Sequence, residues 1–212
     1  MKNTIIYDAL IFTLVLLILF FVNIPYTNII LSCLIIIIYT YNRETLKLSL
    51  GFSIQKNVSK LFVKSIVLAI ILQFLSYFLL LDLIKELTGS TISIGGFSSV
   101  KGNFNIYLTS VFIGWIIGGF CEEIIFRGFM ISVLMKHLGD KTGAIIGIIF
   151  TSIIFGSLHS YQGITGQILT GLTGLLFGII YIIGKRNLWL CILTHGFVNT
   201  IGMTLLYFGY LE

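Results

Sequence analysis

A chain of 212 residues that is 57% hydrophobic and only 10% charged, with a mean hydropathy of +1.06, is too apolar to be a water-soluble domain. Its formal charge of +5 comes from 13 Lys and Arg against 8 Asp and Glu. The basic residues gather between apolar runs, which points to membrane topology and anionic lipid and away from a nucleic-acid surface. Cys33, Cys121 and Cys191 lie in or beside apolar runs with no CxxC-type spacing, which argues against disulfides and against a cysteine-based metal site.

Seven apolar runs follow one another: Ile5 to Val22, Thr27 to Tyr41, Leu61 to Leu83, Phe104 to Phe120, Gly143 to Leu158, Ile164 to Ile183 and Leu188 to Tyr210. Most approach the ~20 residues that cross a bilayer as helix; the second and fifth are short. The runs are continuous, whereas barrel strands alternate, so the fold expected is an all-α polytopic transmembrane bundle of about seven helices, six to eight in range. The first run reads as a retained span, because Phe20 to Pro25 offers no small-residue cleavage site. Composition shifts midway. Residues 1–103 are aliphatic spans and loops, ending in a Gly/Ser/Thr-rich loop from Thr88 to Asn103; residues 104–212 are richer in Gly and hold every His. The two parts read as one continuous membrane domain, with the chemistry in the second.

Basic residues alternate with the spans. Arg43, Lys47, Lys56, Lys60 and Lys64 follow the second run, Lys136 and Lys141 follow the fourth, and Lys185 and Arg186 follow the sixth. The opposite loops are poorer, with only Lys85 and Lys101 among them. The positive-inside rule therefore puts the N-terminus in the cytoplasm and the C-terminus outside. Small-xxx-small pairs at Gly114/Gly118, Gly143/Gly147 and Gly174/Gly178 allow close helix packing.

Ionisable groups inside such spans cost a few kcal/mol or more and point to function. Glu123 and Arg127, four residues apart, can neutralise one another on one helix face; Glu122 is left about 100° round the helix. Phe155 and His159 share a face of the fifth span, and His195 and Asn199 share a face of the seventh. His137 lies in the basic turn and reads as solvated. Depth raises a conflict. Glu122 and His159 both lie about 27 Å from the turn at Gly139 to Lys141, whereas His195 lies only about 13 Å from the Lys185–Arg186 turn on the same side. The simplest repair is that the fourth and fifth helices protrude into the cytoplasm around Lys136 to Lys141.

Glu122-Glu123-x-x-x-Arg127, with Phe126 and Gly128 flanking the arginine, then Phe155-x-x-x-His159 and His195-x-x-x-Asn199, in that order on successive helices, resemble the motif set of the CPBP intramembrane proteases, also called the type II CAAX prenyl endopeptidase or Abi family. The match spans about residues 104 to 205. The resemblance implies an intramembrane endopeptidase acting on a membrane-associated peptide or protein. Glu122 with His159 would activate the water, His195 and Asn199 would donate to the oxyanion, Glu123 and Arg127 would hold the site in place, and Phe155 would wall it. A buried carboxylate holds a proton more readily than a solvated one, which suits a base. No cofactor is favoured. Zinc on Glu122, His159 and His195 is the rival, although HExxH is missing. Other function classes are a non-catalytic, bacteriocin-immunity-type membrane protein and a small proton-coupled transporter; no inverted repeat supports the latter. Chain size and the Ile, Lys and Asn usage suggest a bacterial membrane, where prenylated CAAX proteins are not the expected substrates. The oligomeric state is left open.

Overall fold

The computed structural model describes residues 2–41, 50–52 and 57–211, with side chains from residue 4 onward. Arg43, Lys47 and Lys56 lie outside the described residues. The described residues form seven helical rods and no strand: α1 (Lys2–Phe21), α2 (Thr27–Tyr41), α3 (Val58–Thr88), α4 (Phe104–Leu138), α5 (Asp140–Leu158), α6 (Gly163–Ile183) and α7 (Leu188–Tyr207). Among them six are long and apolar enough to cross a membrane, and α2, at 15 residues, is the short one. The chain is an integral membrane protein with an all-α polytopic fold, the solution that satisfies backbone groups within each segment where water is missing. Asparagine side chains begin three rods: Asn57 accepts from the Lys60 amide, Asn103 from Ile106 and Asn187 from Leu190, at 2.8, 3.2 and 3.3 Å.

α4 differs most from the apolar reading. The run of hydrophobic residues stops at Phe120, but the helix continues to Leu138, 35 residues in all. The charges that interrupt the run do not break the helix, because they turn into the bundle. Ile124, Ile125, Phe126, Phe129, Met130 and Ile131 are fully enclosed there, so α4 is the central rod. Over Gly114–Glu122 and again over Ile124–Ile131 its backbone closes wide i to i+5 turns, a local widening often found at functional sites. The outer rods, by contrast, leave Leu10, Phe21, Val63 and Phe78 exposed, as lipid-facing residues should be.

The offset in depth has a physical origin in the hairpin of α4 and α5. Gly139, at φ 85°, turns the chain, and Gly143 lies so close to the backbone of Leu134 and Met135 that a side-chain carbon there has no room. At the start of α7, Leu188 sits beside Gly128 of α4, and Arg186 reaches Ser132 at 3.1 Å. The α6–α7 turn is thus level with the middle of α4. From Gly128 to Leu138 the hairpin overhangs that turn by about 15 Å at helical rise, which matches the conflict of about 14 Å in the counted depths.

The overhang is tied down by Asp8 of α1, a fully enclosed carboxylate. It accepts from Lys136 Nζ at 2.6 Å, from His137 Nε2 at 2.8 Å and from Tyr39 Oη at 2.5 Å. His137 is therefore not simply solvated: its ring is drawn onto a buried acid, because the end of α4 runs against α1 and α2. Replacing Asp8 by Ala leaves Lys136 and His137 able to turn to solvent, so the expected loss is about 1–2 kcal/mol, with about 1 kcal/mol for Tyr39→Phe. Thermal unfolding in detergent measures both; an unchanged midpoint for Asp8→Ala would show that the clamp adds nothing.

Candidate active site

A cavity of about 890 Å³ opens among α3, α4, α6 and α7, and Glu122, Phe155, His159, His195 and Asn199 line it. The wide turns of α4 present the two consecutive glutamates differently. Glu123 points into the packed interior at 0% exposure, and Glu122 reaches the cavity wall at 9%.

Glu123 is the hub of the interior side. Its Oε1 accepts from Arg127 NH1 at 2.8 Å and from His195 Nδ1 at 2.7 Å. A carboxylate partner places the proton on Nδ1, which leaves Nε2 as the atom turned to Glu122. Arg127 donates through NH2 to the carbonyl of Gly174 on α6 at 2.9 Å, and its guanidinium lies over the rings of Phe155 and Phe177 at 5.1 and 5.2 Å. One cation thereby joins α4, α5 and α6, each ring contact adding about 0.5–2 kcal/mol. Phe177 also stacks on His195, with centroids 4.8 Å apart.

On the cavity side, Glu122 Oε2 stands 3.9 Å from His195 Nε2, beyond hydrogen-bond length. His159 ends α5, where its Nδ1 donates to the Phe155 carbonyl at 2.7 Å. The Phe155 ring packs against both imidazoles, at 4.8 Å from His159 and 6.1 Å from His195. Asn199 donates from Nδ2 to the Gly114 carbonyl at 2.9 Å, which fixes the orientation of its amide and leaves the second N–H of Nδ2 uncommitted by that bond. Gly118 makes the close approach possible: a side-chain carbon there would lie 2.5 Å from Asn199 Nδ2 and 3.2 Å from His195 Nε2.

Glu122, His195 and Asn199 thus meet at one wall with Glu123 and Arg127 behind them, and His159 joins them across the Phe155 ring. No hydrogen bond links Glu122 to His159. Among the described residues no group of three or more His, Cys, Asp or Glu is gathered closely enough to hold a metal ion. Cys121 belongs to the hydrophobic core with Cys33, and does not line the cavity. Three contributors escape sequence reasoning: the Gly174 carbonyl, the Phe177 ring and Gly118. The small-xxx-small pairs at 114/118 and 174/178 were the available signal, but they were legible only as packing.

Removing the cation from the hub strands a carboxylate in the interior. Arg127→Met should lower stability by about 3–5 kcal/mol, the cost of an unpaired buried charge, whereas Glu122→Gln, at the cavity wall, should change it by less than about 1 kcal/mol. Unfolding midpoints in detergent compare the two; equal losses would mean that Glu122 is structural as well.

Among known proteins, residues 104–201, a little under half of the chain, match the family model described as type II CAAX prenyl endopeptidase Rce1-like. No curated protein and no solved structure matches the chain. The matched segment runs from the first residue of α4 to the middle of α7 and encloses every residue of the site just described. Over this segment the chain is similar to the Rce1-like type II CAAX prenyl endopeptidase family.

Proposed function

We propose that the protein is an intramembrane endopeptidase that hydrolyses a membrane-associated peptide or protein through a water activated by Glu122. The observation that carries the reading is the unlike fate of two neighbouring carboxylates. Glu123 is held by Arg127 and His195, whereas Glu122 faces the cavity and accepts no hydrogen bond within 3.5 Å from a described residue. A structural acid is held by charged and hydrogen-bonding partners, as Oε1 of Glu123 is; a base must keep a lone pair for water where water can reach it.

In the reaction, water held between Glu122 and His159 gives its proton to Glu122 as its oxygen attacks the peptide carbonyl. The carbonyl oxygen becomes an oxyanion against Asn199 Nδ2–H and His195 Nε2, which donates when protonated. Glu122 then returns the proton to the departing amine as the C–N bond breaks, so the base is regenerated. His195 is aimed by the bond from Nδ1 to Glu123, and Glu123 by Arg127, which makes both acidic and basic partners positioning residues. The cavity, at about 890 Å³, has room for more than a single residue, and its lining is mostly apolar, which suits a peptide that arrives through or along the lipid.

Two measurements decide this. With a reconstituted peptide library, Glu122→Gln should cut turnover by about 10²- to 10⁴-fold and Asn199→Ala by about 10²- to 10³-fold, the ranges for a lost general base and a lost oxyanion donor. Cleavage undiminished in Glu122→Gln would remove Glu122 as the base, and no cleavage by the wild type would favour a non-catalytic immunity-type protein or a proton-coupled carrier. The purified protein should retain activity in a chelator; stoichiometric zinc, with activity lost on chelation and regained on zinc addition, would overturn the metal-free route.

A further inference from the structure

We propose that the cavity opens on the extracytoplasmic face of the membrane, so that its substrate is a peptide segment presented from outside the cell: an exported peptide or the outer juxtamembrane stretch of a membrane protein. The substrate clause rests on the proteolytic reading; the orientation does not.

The two ends of the bundle differ in charge. At the end formed by the start of α3, the α4–α5 hairpin and the α6–α7 turn lie Lys60, Lys64, Lys136, Lys141, Lys185 and Arg186. At the opposite end the basic residues among those described are Lys85 and Lys101, offset by Asp82 and Glu86. Each Lys or Arg near an anionic cytoplasmic leaflet contributes about 1 kcal/mol, and short basic loops stay inside. The lysine-rich end therefore faces the cytoplasm.

The cavity reaches the other end. Its outer lining comes from Tyr26 in the α1–α2 turn, Asp82 and Lys85 on α3, Ser93 in the α3–α4 connection, Tyr161 after α5 and Tyr210 after α7. None of the six basic residues at the cytoplasmic end lines it. The way to that end is closed below Glu122 by Arg127, Phe126, Phe129, Ile131, Tyr181 and Leu188, all between 0 and 1% exposed. A cytoplasmic C-terminus, prenylated or not, has no route through this plug, whereas a segment lying along the outer surface meets Tyr161 and His159 first. Lys85, 37% exposed beside Asp82 at 3.9 Å, gives the rim a cation for a substrate carboxylate or an anionic headgroup.

Thiol accessibility tests the orientation without any assay of cleavage. The native cysteines are 0 to 7% exposed, so background labelling is low. Ser98→Cys and Tyr161→Cys place thiols at the proposed outer end, and Lys141→Cys places one at the basic end; all three positions are exposed and none belongs to the proposed catalytic set. In intact bacterial cells a membrane-impermeant maleimide should label Ser98→Cys and Tyr161→Cys several-fold above wild type, and Lys141→Cys only after permeabilisation. The reverse pattern would overturn the proposal. Two outer-end variants guard against one failing to accumulate. In a second arm, the same cleavable segment is fused on either side of a transmembrane anchor. Cleavage of the outer fusion alone supports the substrate class, and cleavage of the cytoplasmic fusion overturns it. Outer labelling with no cleavage of either fusion would leave the orientation standing and sink the proteolytic reading instead.

Discussion

One oxygen, Oε1 of Glu123, accepts hydrogen bonds from both Arg127 and His195 in a part of the bundle closed to solvent. An unpaired carboxylate in such surroundings costs several kcal/mol, and so does an unpaired guanidinium. The arrangement is therefore tolerable only when α4, α6 and α7 are all in place: α4 supplies the acid and the cation, α6 the Gly174 carbonyl and the Phe177 ring, and α7 the imidazole. Assembly of the helices and assembly of the site are the same event. Without a hydrophobic drive between helices in lipid, such polar contacts and close packing carry more of the specificity than they would in water.

The site inherits its geometry from that anchoring. His195 cannot rotate without giving up the Nδ1 bond, so Nε2 remains aimed at Glu122, 3.9 Å away. Small residues let this happen at short range. Gly114 and Gly118 let Asn199 and His195 approach the backbone of α4, and Gly174 makes room for the Phe155 ring beneath the cation. The wide turns of α4 send Glu122 to the cavity and Glu123 to the interior. A rigid, enclosed hub beside an open, underbonded carboxylate is the division of labour expected where one group must react and its neighbours must hold still.

The same asymmetry runs through the whole molecule. One end of the bundle is plugged by Phe126, Phe129 and Ile131 and carries an overhanging hairpin pinned by Asp8; the other is open and weakly charged. Overhang and cavity are complementary, since α4 is long enough to supply both a core and a wall.

Much was legible in the residues themselves. Continuous apolar runs demand helices in lipid, because no other open structure satisfies the backbone there, and the Glu123–Arg127 spacing allows an ion pair whatever the neighbours do. Order and spacing of Glu122, Phe155, His159, His195 and Asn199 marked the second half as the seat of chemistry. Other features depend on what packs against what, and local pattern is silent about that. The end of α4 was hidden because hydropathy counts Glu122, Glu123 and Arg127 as interruptions, whereas Glu123 and Arg127 pair with one another and bond to groups on α6 and α7, and Glu122 faces the cavity. His137 gave no sign of its bond to Asp8, which lies 129 residues away in the chain. The offset in depth between the α4–α5 hairpin and the α6–α7 turn depends on Leu188 packing beside Gly128, a contact between distant segments. The sequence by itself determined helices, membrane residence and the identity of the polar groups, since each follows from local composition and the solvent; tertiary structure alone decided which carboxylate is bonded in the interior and which faces the cavity, because that depends on how other helices pack against α4.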